Sequence, residues 1–204
     1  MSEKVHPSKE RTLVVLKPDA IQRSLIGEII ARFERAGFKI VASKMFVPSR
    51  EMVEKHYTLD PNWKKNVGEK SIASYVKKGI TPPSNDPIAV GDAVVGHLCN
   101  YVASGPVVAM VWEGAHAVEI VRKLVGGTEP RSSDVGTIRG DYVLDSYAMC
   151  DTDGRAIRNL VHASGSVEEA GNEINLWFKP EEVIEYRHVQ EALLYGLSID
   201  AMHE

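Results

Sequence analysis

The chain has little cysteine, few aromatic residues and no long apolar run. Its two cysteines, Cys99 and Cys150, are too few and too far apart for a disulfide framework or a thiolate metal site. Both fall among apolar residues, so reduced core positions are expected. No apolar stretch is long enough to span a bilayer, and the polar start Met1-Ser2-Glu3-Lys4-Val5-His6 is not followed by the apolar segment of a secretion signal. A cytoplasmic protein with no membrane partner is the expectation. Neither sign of charge dominates: 24 Lys and Arg stand against 28 Asp and Glu, for a net charge of −4. That balance lacks the basic excess of a dedicated nucleic-acid binder, and the paired aromatic strand motif of RNA-binding sheet modules is missing too. What is plentiful is apolar content, 44% of 204 residues, enough for the core of one globular domain.

Hydrophobic patterning divides the chain. Residues Met1–Arg11 read as a loosely attached arm. Thr12-Leu13-Val14-Val15-Leu16 is a β-branched apolar run, the mark of a central buried strand, closed by Lys17-Pro18-Asp19. Asp19 and Gln22 have capping-box spacing before a helix with apolar residues from Ile21 to Phe33, and Gly37 ends it. A second strand covers Phe38–Val47, and a short helix after Pro48 carries Tyr57. Thr58–Asp92 is rich in proline, glycine and lysine, with a helical turn or two at Ser71–Lys78. Gly68-Glu69-Lys70-Ser71 lacks the full spacing of a P-loop and is rejected as one. A helix over Ala93–Val102, a buried strand over Val107–Trp112 and a helix over Ala115–Val125 follow. Tyr142–Arg158 reads as a protruding hairpin around Asp153-Gly154, suited to subunit contacts. Leu160-Val161 is the end of a last buried strand, Leu176-Trp177-Phe178 an apolar anchor, and Val183–Met202 an amphipathic tail. The order is βαββαβ: an α+β, ferredoxin-like antiparallel sheet with helices on one face.

The most informative stretch is Asn159-Leu160-Val161-His162-Ala163-Ser164-Gly165-Ser166. It delivers a histidine from a strand into a small-residue turn. Ser166 and Glu169 have the spacing of a capping box, so a helix starts there and its positive end faces the turn. Such an end favours phosphate. Glu173, about two turns into that helix, is placed to reach back to one imidazole nitrogen and leave the other as a nucleophile. The competing account of His162 is an ordinary hydrogen-bonded histidine at a strand end. Lys17 has a plain alternative as a solvated strand-end lysine. Arg122, before Gly126-Gly127-Thr128, is either a helix C-terminal cation or, with Thr128, a phosphate ligand. Arg139 is either a bidentate phosphoryl clamp or the partner of Asp141.

These segments together resemble the nucleoside diphosphate kinase family. The stretch Asn159–Ser164 with Ser166 and Glu173 resembles that family's active-site signature, and Arg11–Ala20 resembles its opening. Ser104–Gly114 and Gly136–Asp141 match as well, all in the family's order. The resemblance covers about residues 10–57, 94–141 and 157–183. It implies a single domain with insertions near 58–92 and 142–156 and an extension over 184–204. It further implies transfer of the terminal phosphoryl group of ATP or another nucleoside triphosphate to a nucleoside diphosphate, by a ping-pong mechanism through a phosphohistidine on His162. Lys17, Arg139 and Asn159 would then position the transferring group and the ribose end. Arg122 and Thr128 would bind the distal phosphates, with Leu98 also lining the nucleotide site. Tyr57 would pack near the histidine, and Ser164 and Glu173 would orient it. Mg2+ would travel with the nucleotide phosphates, held by them and by water, and the chain would form a homo-oligomer. Two departures stand out. Gly165 occupies a position that is usually acidic, and Val94 falls where a base-stacking aromatic stands, with Trp63 inside the insertion as a substitute.

Overall fold

The computed structural model describes residues 6–196. Strand β1 (Glu10–Leu16) runs through the centre, between β3 (Val107–Gly114) and the short β4 (Val161–Ala163), and β2 (Lys39–Phe46) lies beyond β3 at the other edge. Every pairing is antiparallel, from Glu10↔Gly114 to Leu16↔Val108 between β1 and β3, and the spatial order β2-β3-β1-β4 is that of the ferredoxin-like α+β fold.

Apolar residues at both parities of β1 and β3 decide how the sheet is covered. Val14, Leu16, Met110 and Trp112 point to one face; Leu13, Val15, Ala109 and Val111 point to the other. The first set packs against α2 (Ile26–Arg35) and α6 (Ala117–Val125). The second packs against α3 (Arg50–Tyr57), α5 (Pro87–Val102) and α9 (Val167–Trp177). Helices therefore cover both faces, where one was expected. A strand as fully buried as β3 requires two layers.

Several elements differ from the expected ones. The chain is ordered into a 3-10 turn at Pro7–Lys9 and enters β1 at Glu10, with Arg11 held 2.7 Å from Glu113. The first helix is two: α1 (Pro18–Gln22) ends before α2, because Ser24 takes a left-handed φ of 56°. Asp19 forms no capping box with Gln22; its Oδ2 accepts the Leu160 N–H at 3.1 Å and so ties α1 to the approach of β4. In place of a turn or two, α4 (Trp63–Lys77) is a full helix, and α5 begins at Pro87 behind an Asp86 cap. These two helices touch backbone to backbone. A Cβ on Gly68 would lie 1.9 Å from Pro87 O, and one on Gly91 2.1 Å from Lys64 O. The glycines that read as loop punctuation are the points of closest approach.

After the short α7 (Ile138–Tyr142), the expected hairpin is helix α8 (Tyr147–Asp153). Ser146 caps its start by accepting from Met149 N–H, and Gly154 ends it with φ 59°. The tail contributes α10 (Glu191–Tyr195); Leu197 and Met202 lie outside the described residues. Among the described residues no helix is long and apolar enough to cross a membrane.

Candidate active site

A cavity of about 940 Å³ opens at the end of β1, where Lys17 leaves the sheet. It gathers Lys17, Tyr57, Leu98, Arg122, Thr128, Arg139, Asn159, His162 and Glu173. Of the expected residues only Ser164 stands off the cavity wall; it is fully buried behind His162. Val94 and Trp63 both line the cavity, and the Trp63 ring lies 5.5 Å from that of Tyr57.

Register brings the histidine here. His162 pairs with Val15 in the antiparallel ladder, so its side chain shares the face covered by α3, α5 and α9. The strand is entered through Leu160 at φ 62°, a left-handed conformation that costs a branched residue about 1–2 kcal/mol. Two bonds hold it: Lys17 N–H donates to Leu160 O at 2.8 Å, and Leu160 N–H donates to Asp19.

Glu173 is 2% exposed and its Oε1 sits 2.9 Å from His162 Nε2. The ring N–H direction is not aligned on that oxygen, so the contact is a close electrostatic one rather than a formed hydrogen bond. The other carboxylate oxygen, Oε2, accepts the Ser164 hydroxyl at 2.6 Å, and Ser164 Oγ also accepts Leu13 N–H at 3.1 Å. Nε2 thus faces the buried acid, and Nδ1 is the ring nitrogen without a carboxylate partner. Burial, reinforced by Lys17, lowers the His162 pKa to about 3. The imidazole is therefore neutral near pH 7, as a nucleophile must be.

The sequence reading missed His56. It is buried, accepts Trp177 Nε1–H on Nδ1 at 3.1 Å, and lies edge-on to His162 with ring centroids 4.4 Å apart. The indole proton fixes the tautomer: Nδ1 accepts, so Nε2 carries the hydrogen and points toward Glu173 Oε1, 3.6 Å away. Burial lowers the His56 pKa to about 3 as well, so it stays neutral. His56, His162 and Glu173 converge closely enough to suggest a metal triad. The protonated His56 Nε2 argues against one, because a metal ligand needs a free lone pair there. Helical spacing held the clue: Val53, His56 and Tyr57 share one face of α3.

Three cations complete the site. Lys17 Nζ donates to Asn159 Oδ1 at 2.6 Å, while Asn159 Nδ2 donates to Thr128 O at 2.9 Å. Burial and then the Arg139 charge lower the Lys17 pKa to about 7. Arg139 makes no pair with Asp141, which binds Arg32 at 2.7 Å instead. Its guanidinium donates to Gly126 O at 2.9 Å, Gly127 O at 3.1 Å, Asn159 O at 3.2 Å and to Val161 O. Arg139 thereby fastens the glycine turn to β4. Burial and neighbouring Arg122 bring its pKa down to about 10. Arg122 Nη1 lies 3.5 Å from Ala163 O. Beyond the cations, Lys78 meets Asp151 at 2.8 Å and joins the end of α4 to α8 beside the cavity.

Fold and site define a class: a ferredoxin-like α+β protein whose cation-lined cavity is built on a neutral histidine backed by a buried acid. The nucleoside diphosphate kinase family model matches residues 10–75 and 90–183, so its interruption falls at 76–89. A nucleoside diphosphate kinase of Pyrobaculum aerophilum is 50% identical over 180 residues, 86% of this chain and 98% of that protein. One from Pyrococcus furiosus is 45% identical over 177 residues, 87% of this chain and 88% of its own. The crystal structure of the Pyrobaculum aerophilum NDP kinase superimposes with a TM-score of 0.84 at 49% identity, covering 87% of this chain and 100% of that one. A Borrelia burgdorferi nucleoside-diphosphate kinase, solved as a transition state mimic with vanadate and ADP, gives 0.74 at 34% identity over 90% and 95%. The chain belongs to the nucleoside diphosphate kinase family.

Proposed function

We propose that this phosphotransferase carries its phosphoryl group on His162 Nδ1 and passes it from nucleoside triphosphates to nucleoside diphosphates at one shared site. The observation that carries the reading is the neutral His162, 2.9 Å from buried Glu173, in one cavity with Lys17, Arg122 and Arg139. In the first half-reaction Nδ1 attacks the terminal phosphorus in line, the N–P bond forms, and the P–O bond breaks to release the diphosphate. The second nucleoside diphosphate reverses the step. Lys17, Arg122 and Arg139 offset the charge on the phosphates, Asn159 holds Lys17 in place, and Thr128 closes the turn beside them. Tyr57 and Trp63 offer aromatic faces, and Leu98 and Val94 an apolar wall, for the nucleoside.

Magnesium belongs to the substrate in this reading. The one compact group of metal-competent side chains among the described residues is nitrogen-rich, with His56 committed to Trp177, unlike the oxygen cage that a resident Mg2+ needs. The ion, bound to the nucleotide, neutralises phosphate charge. Homo-oligomeric assembly is carried over from the family resemblance. A cytoplasmic location fits the reduced cysteines, Cys99 and Cys150.

The test is incubation with γ-labelled ATP and magnesium, without acceptor. Acid-labile, base-stable label on the wild-type chain, chased onto an added nucleoside diphosphate and absent from His162→Ala, is the expected result. Well-folded wild-type protein that takes up no label would overturn the assignment in favour of a non-catalytic nucleotide-binding or assembly role.

A further inference from the structure

Gly165 leaves the active-site turn one acid short of the pattern it otherwise resembles. The backbone does not ask for glycine there, since Gly165 is not among the glycines with positive φ. Space does. A Cβ on Gly165 would lie 2.5 Å from Glu169 Oε2 and 3.4 Å from its Cδ. Ser166 Oγ accepts the Glu169 N–H at 3.1 Å, which is half of the expected capping box. The Glu169 carboxyl does not complete the other half. It folds back beneath the turn instead, among the cavity-lining groups that include His162 and Glu173.

We propose that Glu169 supplies the acid of this turn, as a positioning residue for His162, and that Gly165 and Glu169 form one exchangeable unit: the glycine makes the room that the displaced carboxylate fills. The inference rests on the phosphotransferase reading. As Nδ1 bonds to phosphorus and the diphosphate departs with its electron pair, positive charge develops on a ring whose proton stays on Nε2. Cations surround that ring: Lys17 from the end of β1, Arg122 from α6 and Arg139 from α7, with neutral His56 facing it from α3. From α9, Glu173 is the near counter-charge and Glu169 the second. Burial and mutual repulsion raise the pKa of Glu169, and burial raises that of Glu173, as expected of two carboxyls in one site. The simpler account places Glu168 and Glu169 in the first turn of α9 only for the helix dipole. That account gives residue 165 no part.

The experiment is single-turnover labelling of the full chain by magnesium-ATP across pH, with Glu169→Gln, Gly165→Ala and the double variant, alongside 15N NMR titration of His162. Each single variant is expected to form phosphohistidine about tenfold more slowly, with nucleotide KM little changed. In Glu169→Gln the acid limb that protonation of Glu169 sets is expected to flatten, and the step in the His162 15N shifts that accompanies that protonation is expected to be lost. The double variant is expected to be no slower than either single one, because both act on the same carboxylate. Gly165→Asp combined with Glu169→Ala, which moves the acid back to the turn, is expected to recover most of the rate. Wild-type rate and profile in Glu169→Gln, or losses that multiply in the double variant, would overturn the proposal. Unlabelled wild-type protein would sink the phosphotransferase reading, and the His162 15N shifts still decide the role of Glu169: a pH dependence unchanged in Glu169→Gln overturns it.

Discussion

Lys17 is the residue whose burial has the clearest solution consequence. With its pKa lowered to about 7, it is largely neutral at pH 8 in the free protein. Phosphate arriving beside it favours the charged form. Nucleotide binding at pH 8 is therefore expected to take up close to one proton, seen as a dependence of the calorimetric binding enthalpy on buffer ionisation enthalpy, and Lys17→Met should abolish it. The two buried histidines give a stability prediction. Burial lowers their folded-state pKa values to about 3 from the ordinary 6.5. Between those values the unfolded chain binds more protons than the folded one, so stability is full above about pH 6.5 and falls as pH drops toward 3. Urea midpoints at successive pH values would show it, with a shallower slope in His162→Ala. At His56, substitution by Phe strands the Trp177 N–H. A cost of about 1–3 kcal/mol is expected, with a larger relative loss of kcat than of nucleotide affinity. At this scale the sequence was readable where motifs were dense: every expected site residue but Ser164 reaches the cavity, and Ser164 reaches Glu173. His56 went unread because a histidine beside a tyrosine in a short helix has no motif of its own.

At the scale of elements, strands β1 and β3 were legible as continuous apolar runs and the start of α9 through its Ser166 cap. Helices α4 and α8 were not. In α4 the lysines and Gly68 blur the apolar face, because that face is partly a backbone contact with α5 and needs small residues rather than large ones. In α8, Asp153-Gly154 suits a hairpin turn and a left-handed helix end equally well; only Ser146, seven residues earlier, distinguishes them. The α4–α5 contact is directly testable. Gly68→Ala and Gly91→Ala place a methyl group against a carbonyl oxygen, and each is expected to cost about 1–3 kcal/mol by displacing the helices. Chemical denaturation would measure it. Unchanged midpoints in both would show that the crossing is looser than described.

For the whole molecule, the order of elements pointed to the βαββαβ fold but hid the second helical layer, since a strand buried on both faces carries no polar side to count. The family match breaks at 76–89, and that segment adjoins the cavity through Pro83 while Lys78 ties its start to α8. Replacing residues 79–86 by a short turn is expected to raise nucleotide KM about three- to tenfold, with single-turnover labelling within about twofold. A large fall in labelling with KM unchanged would instead assign the segment to the chemistry.

The brevity of β4 bears on how the molecule matures. Its ladder consists of Val14↔Ala163, Val15↔His162 and Leu16↔Val161, closed by Ser164 against Leu13 across a sequence separation of 151. Contacts so few and so remote in sequence are expected to close late, after the loop entropy has been met by the longer β1–β3 pairing. A chain that has built everything else holds an empty nest of cations with no nucleophile in it. Catalytic competence is thus expected to arrive with the last strand, so that on refolding the regain of activity lags the recovery of helical circular dichroism.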